Sequence, residues 1–170
     1  MSIQSLKKYL PQNTLSYLRI WFSDYYIHIK VTRNRNSKLG DYRKLRDDSH
    51  EITINSTLTY EEISMEGPQK DYSLSGTPVD CVKFALDKIL TRKPDLVVSG
   101  INHGANSSIN VIYSGTMSAA VEAGVEGLQA IGFSLLDFSW DADFSQAKTF
   151  IQSIVKKVLE NPIPKGIVLN

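Results

Sequence analysis

DLVVSGINHGANSSINVIYSGTMSAA, residues 95 to 120, is the stretch whose reading decides the fold. It opens on a short, β-branched apolar run, Leu96 to Val98, that stops at Gly100, the pattern of a strand buried on both faces. A polar loop follows, and Ser114, Gly115 and Thr116 then lead into MSAAVEAGVEG, a run of small residues suited to a closely packed helix. Strand, loop and helix in this order form the repeating unit of a parallel α/β sheet. In such sheets ligands bind beyond the carboxyl ends of the strands, so this loop is where permissive and polar residues carry most meaning. Gly100, Gly104 and Gly115 allow close backbone approach, and Asn102, Asn106, Ser114 and Thr116 supply uncharged donors and acceptors. The first amides of the helix have no partner within it, which makes its start an anion site of the kind that phosphate occupies. Ser-Gly-Thr also serves as a plain helix cap, and the whole loop is more specific than the tripeptide.

The alternation continues on both sides. ITIN (Ile52 to Asn55) reads as a strand, Thr77 to Leu90 as a helix, Ser114 to Leu128 as a helix, AIGFSLL (Ala130 to Leu136) as a strand, Asp143 to Leu159 as a helix, and GIVLN (Gly166 to Asn170) as a last strand. Thr77, Pro78 and Asp80 give the first helix a capping residue, a proline at its first position and an acid in its first turn. The expected fold is α/β, a three-layer parallel sheet that is incomplete, since its last strand stops with the chain. Residues 1–50 read differently: helices at Leu6 to Leu10 and Thr14 to Tyr25 with Pro11 between them, then a strand with Ile27, Ile29 and Val31 on one face. A polar loop, NRNSKLGDYRKLRDDS, closes the segment. These N-terminal elements are expected to pack loosely on the sheet or to supply it with an edge.

Charge divides the chain at the same place. The 170 residues carry a net charge of +1, but residues 1–50 hold +6 and residues 51–170 hold −5. A near-neutral whole argues against a dedicated nucleic-acid binder, and Arg33, Arg35, Lys38, Arg43, Lys44 and Arg46 read as a solvated loop. No run approaches the roughly eighteen apolar residues of a membrane span, and the N-terminus lacks a signal-peptide pattern, so a cytoplasmic protein without membrane contact is expected. The lone cysteine, Cys81, lies on the apolar side of a predicted helix and is given no catalytic role.

VVSGINHGAN (Val97 to Asn106) and YSGTMSAA (Tyr113 to Ala120) resemble the signature of the SurE family of 5'-nucleotidases, which runs close to VSGIN-x-G-x-N and then YSGT. YSLSGTPVDCVKFALDKIL (Tyr72 to Leu90) matches the family's SGTP-x-D-C helix, and GFSLLDFSWDADF (Gly132 to Phe144) fits its form downstream. The resemblance implies a Rossmann-like metal-dependent phosphomonoesterase acting on nucleoside monophosphates, and a tendency to homodimers. It further implies that the side-chain oxygen of Asn102 ligates a divalent cation, magnesium or manganese, and that Asn106, Ser114, Gly115 and Thr116 hold the substrate phosphate. An amide oxygen is a hard, neutral ligand suited to such a cation.

The family's strand ending in Asn-Asp-Asp-Gly, whose aspartates are its charged metal ligands, has no counterpart in this sequence, so the catalytic residues are unassigned. Asp47 and Asp48 precede a predicted strand instead of following one, and Arg46 stands where the family has a loop serine, with Ser37 and Ser49 off the pattern. YIHIKVTRNRNSKLGDYRKLRDDSHEITIN (Tyr26 to Asn55) resembles instead the entry segment of SprT-like zinc metallopeptidases. Their HExxH helix is absent, and His28, His50 and His103 are too scattered to replace it. Both families share H-x-ITIN, here His50 to Asn55. The expectation is a junction: residues 1–50 a SprT-like fragment, and residues 51–170 a SurE-like nucleotidase domain cut at both ends. Phosphatase activity in such a chain is expected to be impaired, the alternative being an inactive phosphate- or nucleotide-binding fragment or a fusion artefact.

Overall fold

A computed structural model describes residues 17–20, 30–31, 51–55, 57–63, 71–139 and 141–170. The strands are β1 (Tyr17–Ile20), β2 (Lys30–Val31), β3 (Tyr60–Ile63), β4 (Asp71–Leu74), β5 (Leu96–His103) and β6 (Ala130–Leu135). The helices are α1 (Pro78–Phe84), which widens into a π-helical turn over Ala85–Ile89, then α2 (Asn110–Tyr113), α3 (Gly115–Val125) and α4 (Ser145–Glu160). The main sheet is parallel with order β1-β5-β6, and a smaller sheet has order β2-β4-β3.

Alternation along β5 and β6 sorts the core into two layers. Val97 and Ala130 join Cys81, Val82, Met117, Ala119, Ala120 and Ala123 under α1 and α3. Leu96, Ile101 and Ile131 join Ile151, Val155 and Val158 under α4. The spacing of Ile151, Val155 and Val158 gives α4 one buried stripe, whereas α3 is buried over most of its length because its side chains are small. The expected three-layer α/β architecture is therefore present.

The cap of α1 matches its reading. The Thr77 hydroxyl accepts from the Asp80 amide at 3.1 Å, and Asp80 Oδ2 accepts from the Thr77 amide at 2.8 Å, a reciprocal capping box. Lys83 ties α1 to α3 by ion pairs to Glu122 at 2.6 Å and Glu126 at 3.2 Å. Cys81 is fully buried, and burial, with a smaller contribution from Asp80, pushes its thiol well above its ordinary pKa, in keeping with an inert core residue.

Several elements depart from expectation. The helix expected over Thr14 to Tyr25 is replaced at Tyr17–Ile20 by β1, which pairs in parallel with β5 from Tyr17↔Leu96 to Ile20↔Ser99. The open edge of β5 offers ladder hydrogen bonds that outweigh local helix propensity. ITIN forms no strand: the Thr53 amide and hydroxyl are taken by the Asp80 carboxylate at 3.0 and 2.5 Å, which removes them from any ladder. The last strand is reduced to one bridge, Ile131↔Leu169, with Gly132 N–H donating to Leu169 O and Leu169 N–H to Ala130 O. The antiparallel pair β3 and β4 was not expected. The helix at Leu6 to Leu10, Ile27 and Ile29 of the expected strand, and the loop of residues 34–49 lie outside the described residues.

Candidate functional site

β5 and β6 end together, His103 paired with Leu135, so that β5 delivers Asn102 and His103 to the carboxyl edge of the sheet, with a register shift between Gly100 and Asn102. Gly100 has φ +100°, and a Cβ there would collide with the Phe133 carbonyl oxygen and stand 3.1 Å from Thr116 Cγ2. Only glycine lets the strand pass this close to both β6 and the start of α3.

Beyond it the loop closes on itself. Asn102 Nδ2 donates to Asn106 Oδ1 at 3.1 Å, and Asn106 Nδ2 donates back to Asn102 Oδ1 at 2.9 Å. Asn102 Nδ2 also reaches the His103 carbonyl at 2.8 Å. Asn106, 3% exposed, receives the Ser114 hydroxyl on Oδ1 at 2.8 Å. The Ser114 oxygen in turn accepts the Met117 amide at 3.2 Å as the N-cap of α3. The first intrahelical bond runs from Ser118 N–H to Ser114 O, so the Gly115 and Thr116 amides open the helix with no acceptor inside it. Asn102, Asn106 and Ser114 are thus joined in one network, with Gly115 beginning the helix. Thr116 is buried, its methyl turned toward Gly100 and Gly132.

Three features of this region escaped the sequence reading. Asn170 Nδ2 donates to the Asn106 carbonyl at 2.7 Å, fixing the loop from the end of the chain's last bridge. Its place at the carboxyl end of a parallel segment was the available signal. Ser99 Oγ on β5 is buried without a hydrogen-bond partner among the described residues, an arrangement that sequence does not announce. Phe138 lies against Gly104, whose φ of +81° and missing side chain admit the ring. Nearby, the hydroxyl and amide of Ser139 hold the Asp137 carboxyl below its ordinary pKa, and His103 adds to this. His103 packs edge-on against Phe144, ring centroids 4.8 Å apart.

As a dication site the described residues do not suffice. Asn102 Oδ1 is one neutral oxygen already accepting from Asn106, and no group of three or more His, Cys, Asp or Glu side chains converges among the described residues. Asp47, Asp48, Ser37, Ser49 and Arg46 lie outside the described residues, as does the rest of the basic cluster from Arg33 to Lys44. Among the described residues, no helix is long and apolar enough to cross a membrane.

A parallel sheet with helices on both faces, and a capped helix of small residues opening beside the carboxyl end of β5, define the class of Rossmann-like α/β proteins whose sites lie at that edge. Within that class the sequence model described as Survival protein SurE matches residues 47–170, and the chain belongs to the SurE family. It is 66% identical over 122 residues to the protein named 5'-nucleotidase SurE of Flavobacterium johnsoniae, covering 71% of this chain and 47% of that protein. The Christiangramia forsetii protein of the same name is 59% identical over 141 residues, covering 78% of this chain and 54% of its own. The crystal structure of the SurE protein from Aquifex aeolicus superposes with a TM-score of 0.62 at 37% identity, covering 69% of this chain and 46% of that one. The chain spans about half the length of the curated relatives it matches.

Proposed function

We propose that this chain is the phosphate-recognising part of a 5'-nucleotidase, a metal-dependent phosphomonoesterase whose substrates are nucleoside monophosphates. The observation that carries this reading is the network from Asn102 through Asn106 to Ser114, which fixes the start of α3 at the carboxyl edge of the sheet. In it the Gly115 and Thr116 amides would receive the phosphate oxygens, helped by the helix dipole, while Asn106 and Ser114 hold the loop in shape. A divalent cation, magnesium or manganese, would supply activated water. Asn102 could give it one oxygen, too little on its own to hold a hard cation against water, so the described residues alone support binding and no hydrolytic step. The names of the Flavobacterium and Christiangramia relatives support the substrate class. The reading predicts binding that outlasts turnover.

Inorganic phosphate or a nucleoside monophosphate at a hundred times its Kd is expected to stabilise the chain by about 2.7 kcal/mol through mass action. Gly115→Val, which puts a branched side chain where the phosphate must approach, is expected to abolish that shift, and equal stabilisation of both proteins would overturn the phosphate site. Phosphate release from the chain alone is expected at background even with excess manganese. Robust turnover that disappears in Asn102→Ala would mean that the cation site is complete after all.

A further inference from the structure

We propose that Phe138 is the ledge on which the base of a bound nucleoside monophosphate stacks. This rests on the phosphate site proposed above and adds to it the residue that reads the rest of the ligand. Phe138 lies three residues beyond the end of β6, on the same edge of the sheet as the loop that follows β5. A Cβ on Gly104 would collide with Phe138 Cε1, so the ring is seated directly on bare backbone.

That backbone is tied to the turn carrying the ring. Gly104 N–H donates to Leu135 O at 2.8 Å and to Asp137 O at 3.2 Å. The Asp137 carboxylate takes both the amide and the hydroxyl of Ser139, at 2.9 and 2.6 Å, which braces the turn from its other side. The ring is anchored beneath, yet Phe138 is 71% exposed. A lone exposed aromatic is ordinary on a protein surface. What distinguishes this one is its neighbour: Gly104 stands two residues from both Asn102 and Asn106, and the Asn102 side chain reaches its carbonyl at 3.5 Å. The ring therefore rests on the same short loop that carries Asn102 and Asn106 of the phosphate network.

The chemistry favours a flat heteroaromatic group. A phenyl ring offers no hydrogen bond, so it holds any base through its face and discriminates little between them, as stacking platforms for nucleic-acid bases do. It gives nothing to ribose or to phosphate. The chain would accordingly accept nucleoside monophosphates broadly, with the larger purines bound somewhat more tightly than pyrimidines.

Calorimetric titration of the wild type, Phe138→Ala and Phe138→Trp with AMP, ribose 5-phosphate and inorganic phosphate tests this. AMP is expected to bind the wild type more tightly than ribose 5-phosphate does. Phe138→Ala is expected to weaken AMP about tenfold while leaving the other two unchanged, and Phe138→Trp to restore AMP binding. Three outcomes would overturn the ledge while leaving the phosphate site standing: equal wild-type affinity for AMP and ribose 5-phosphate, undiminished AMP binding in Phe138→Ala, or a change in sedimentation with the AMP preference intact, the mark of a protein-contact residue. Uniform weakening of all three ligands in Phe138→Ala would also overturn it, by making the ring a brace for the loop. Failure of inorganic phosphate to bind the wild type would overturn both readings together.

Discussion

The two faces of the main sheet are packed by different means. Under α1 and α3 the side chains are small and almost wholly enclosed: Cys81, Ala85, Ala119, Ala120, Ala123 and Ala130 leave no accessible surface. Under α4 they are branched and larger, and Ile151, Val155 and Val158 each retain some exposure. Burial by itself would favour the larger side chains. Small ones instead let a helix approach the sheet closely, and it is α3 whose start meets the carboxyl end of β5. The difference teaches that one face positions the candidate site while the other chiefly contributes stability, a division that mutations can break or sharpen.

The largest effect is expected from Gly100→Ala. Its methyl would collide with the Phe133 carbonyl oxygen on a backbone already at positive φ, for a loss of about 3 kcal/mol or more. Since Gly100 also faces Thr116, the stabilisation by phosphate is expected to disappear as well. Urea denaturation with and without phosphate measures both, and an intact phosphate effect would break the link between packing and site on this face. Next comes Ile151→Ala under α4, expected to cost about 2 kcal/mol by opening a cavity. Here the phosphate effect is expected to persist in full, and its loss would show that the two faces are not independent. The smallest is Thr77→Ala, which removes the hydroxyl capping α1 and its donation to the Glu51 carbonyl at 2.6 Å, for about 1 kcal/mol. A loss near that of Gly100→Ala would mean that α1 carries more of the face than its cap suggests.

What was legible in the sequence was what is local. The strand from Leu96, the start of α1 with Thr77 as its capping residue and Asp80 in its first turn, and the helix opened by Ser114 are each specified within a few residues, and each is present. β1 was not legible, because Tyr17–Ile20 become a strand only through the edge of β5, far along the chain. β3 escaped because YEEI lacks the apolar alternation that marks a half-buried strand, whereas DYSL of β4 does alternate, with Tyr72 and Leu74 buried, but its four residues are too short a run to stand out. ITIN misled for the opposite reason: its pattern is that of a strand, but the Asp80 carboxylate claims the Thr53 amide first. At the site, the loop residues could be named in advance, while their mutual hydrogen bonds, the seat of Phe138 and the reach of Asn170 depend on contacts made only in three dimensions.

The bond from Asn170 Nδ2 to the Asn106 carbonyl joins residues 64 positions apart. Translation proceeds from the N-terminus, so at about 5 to 20 residues per second the loop leaves synthesis roughly 3 to 13 s before the side chain that fixes it. During that interval the nascent chain holds the parts of the loop but not its last tether. A ribosome stalled anywhere between the two codons would display a loop whose shape is still open, and the site becomes definite only once Asn170 has followed it.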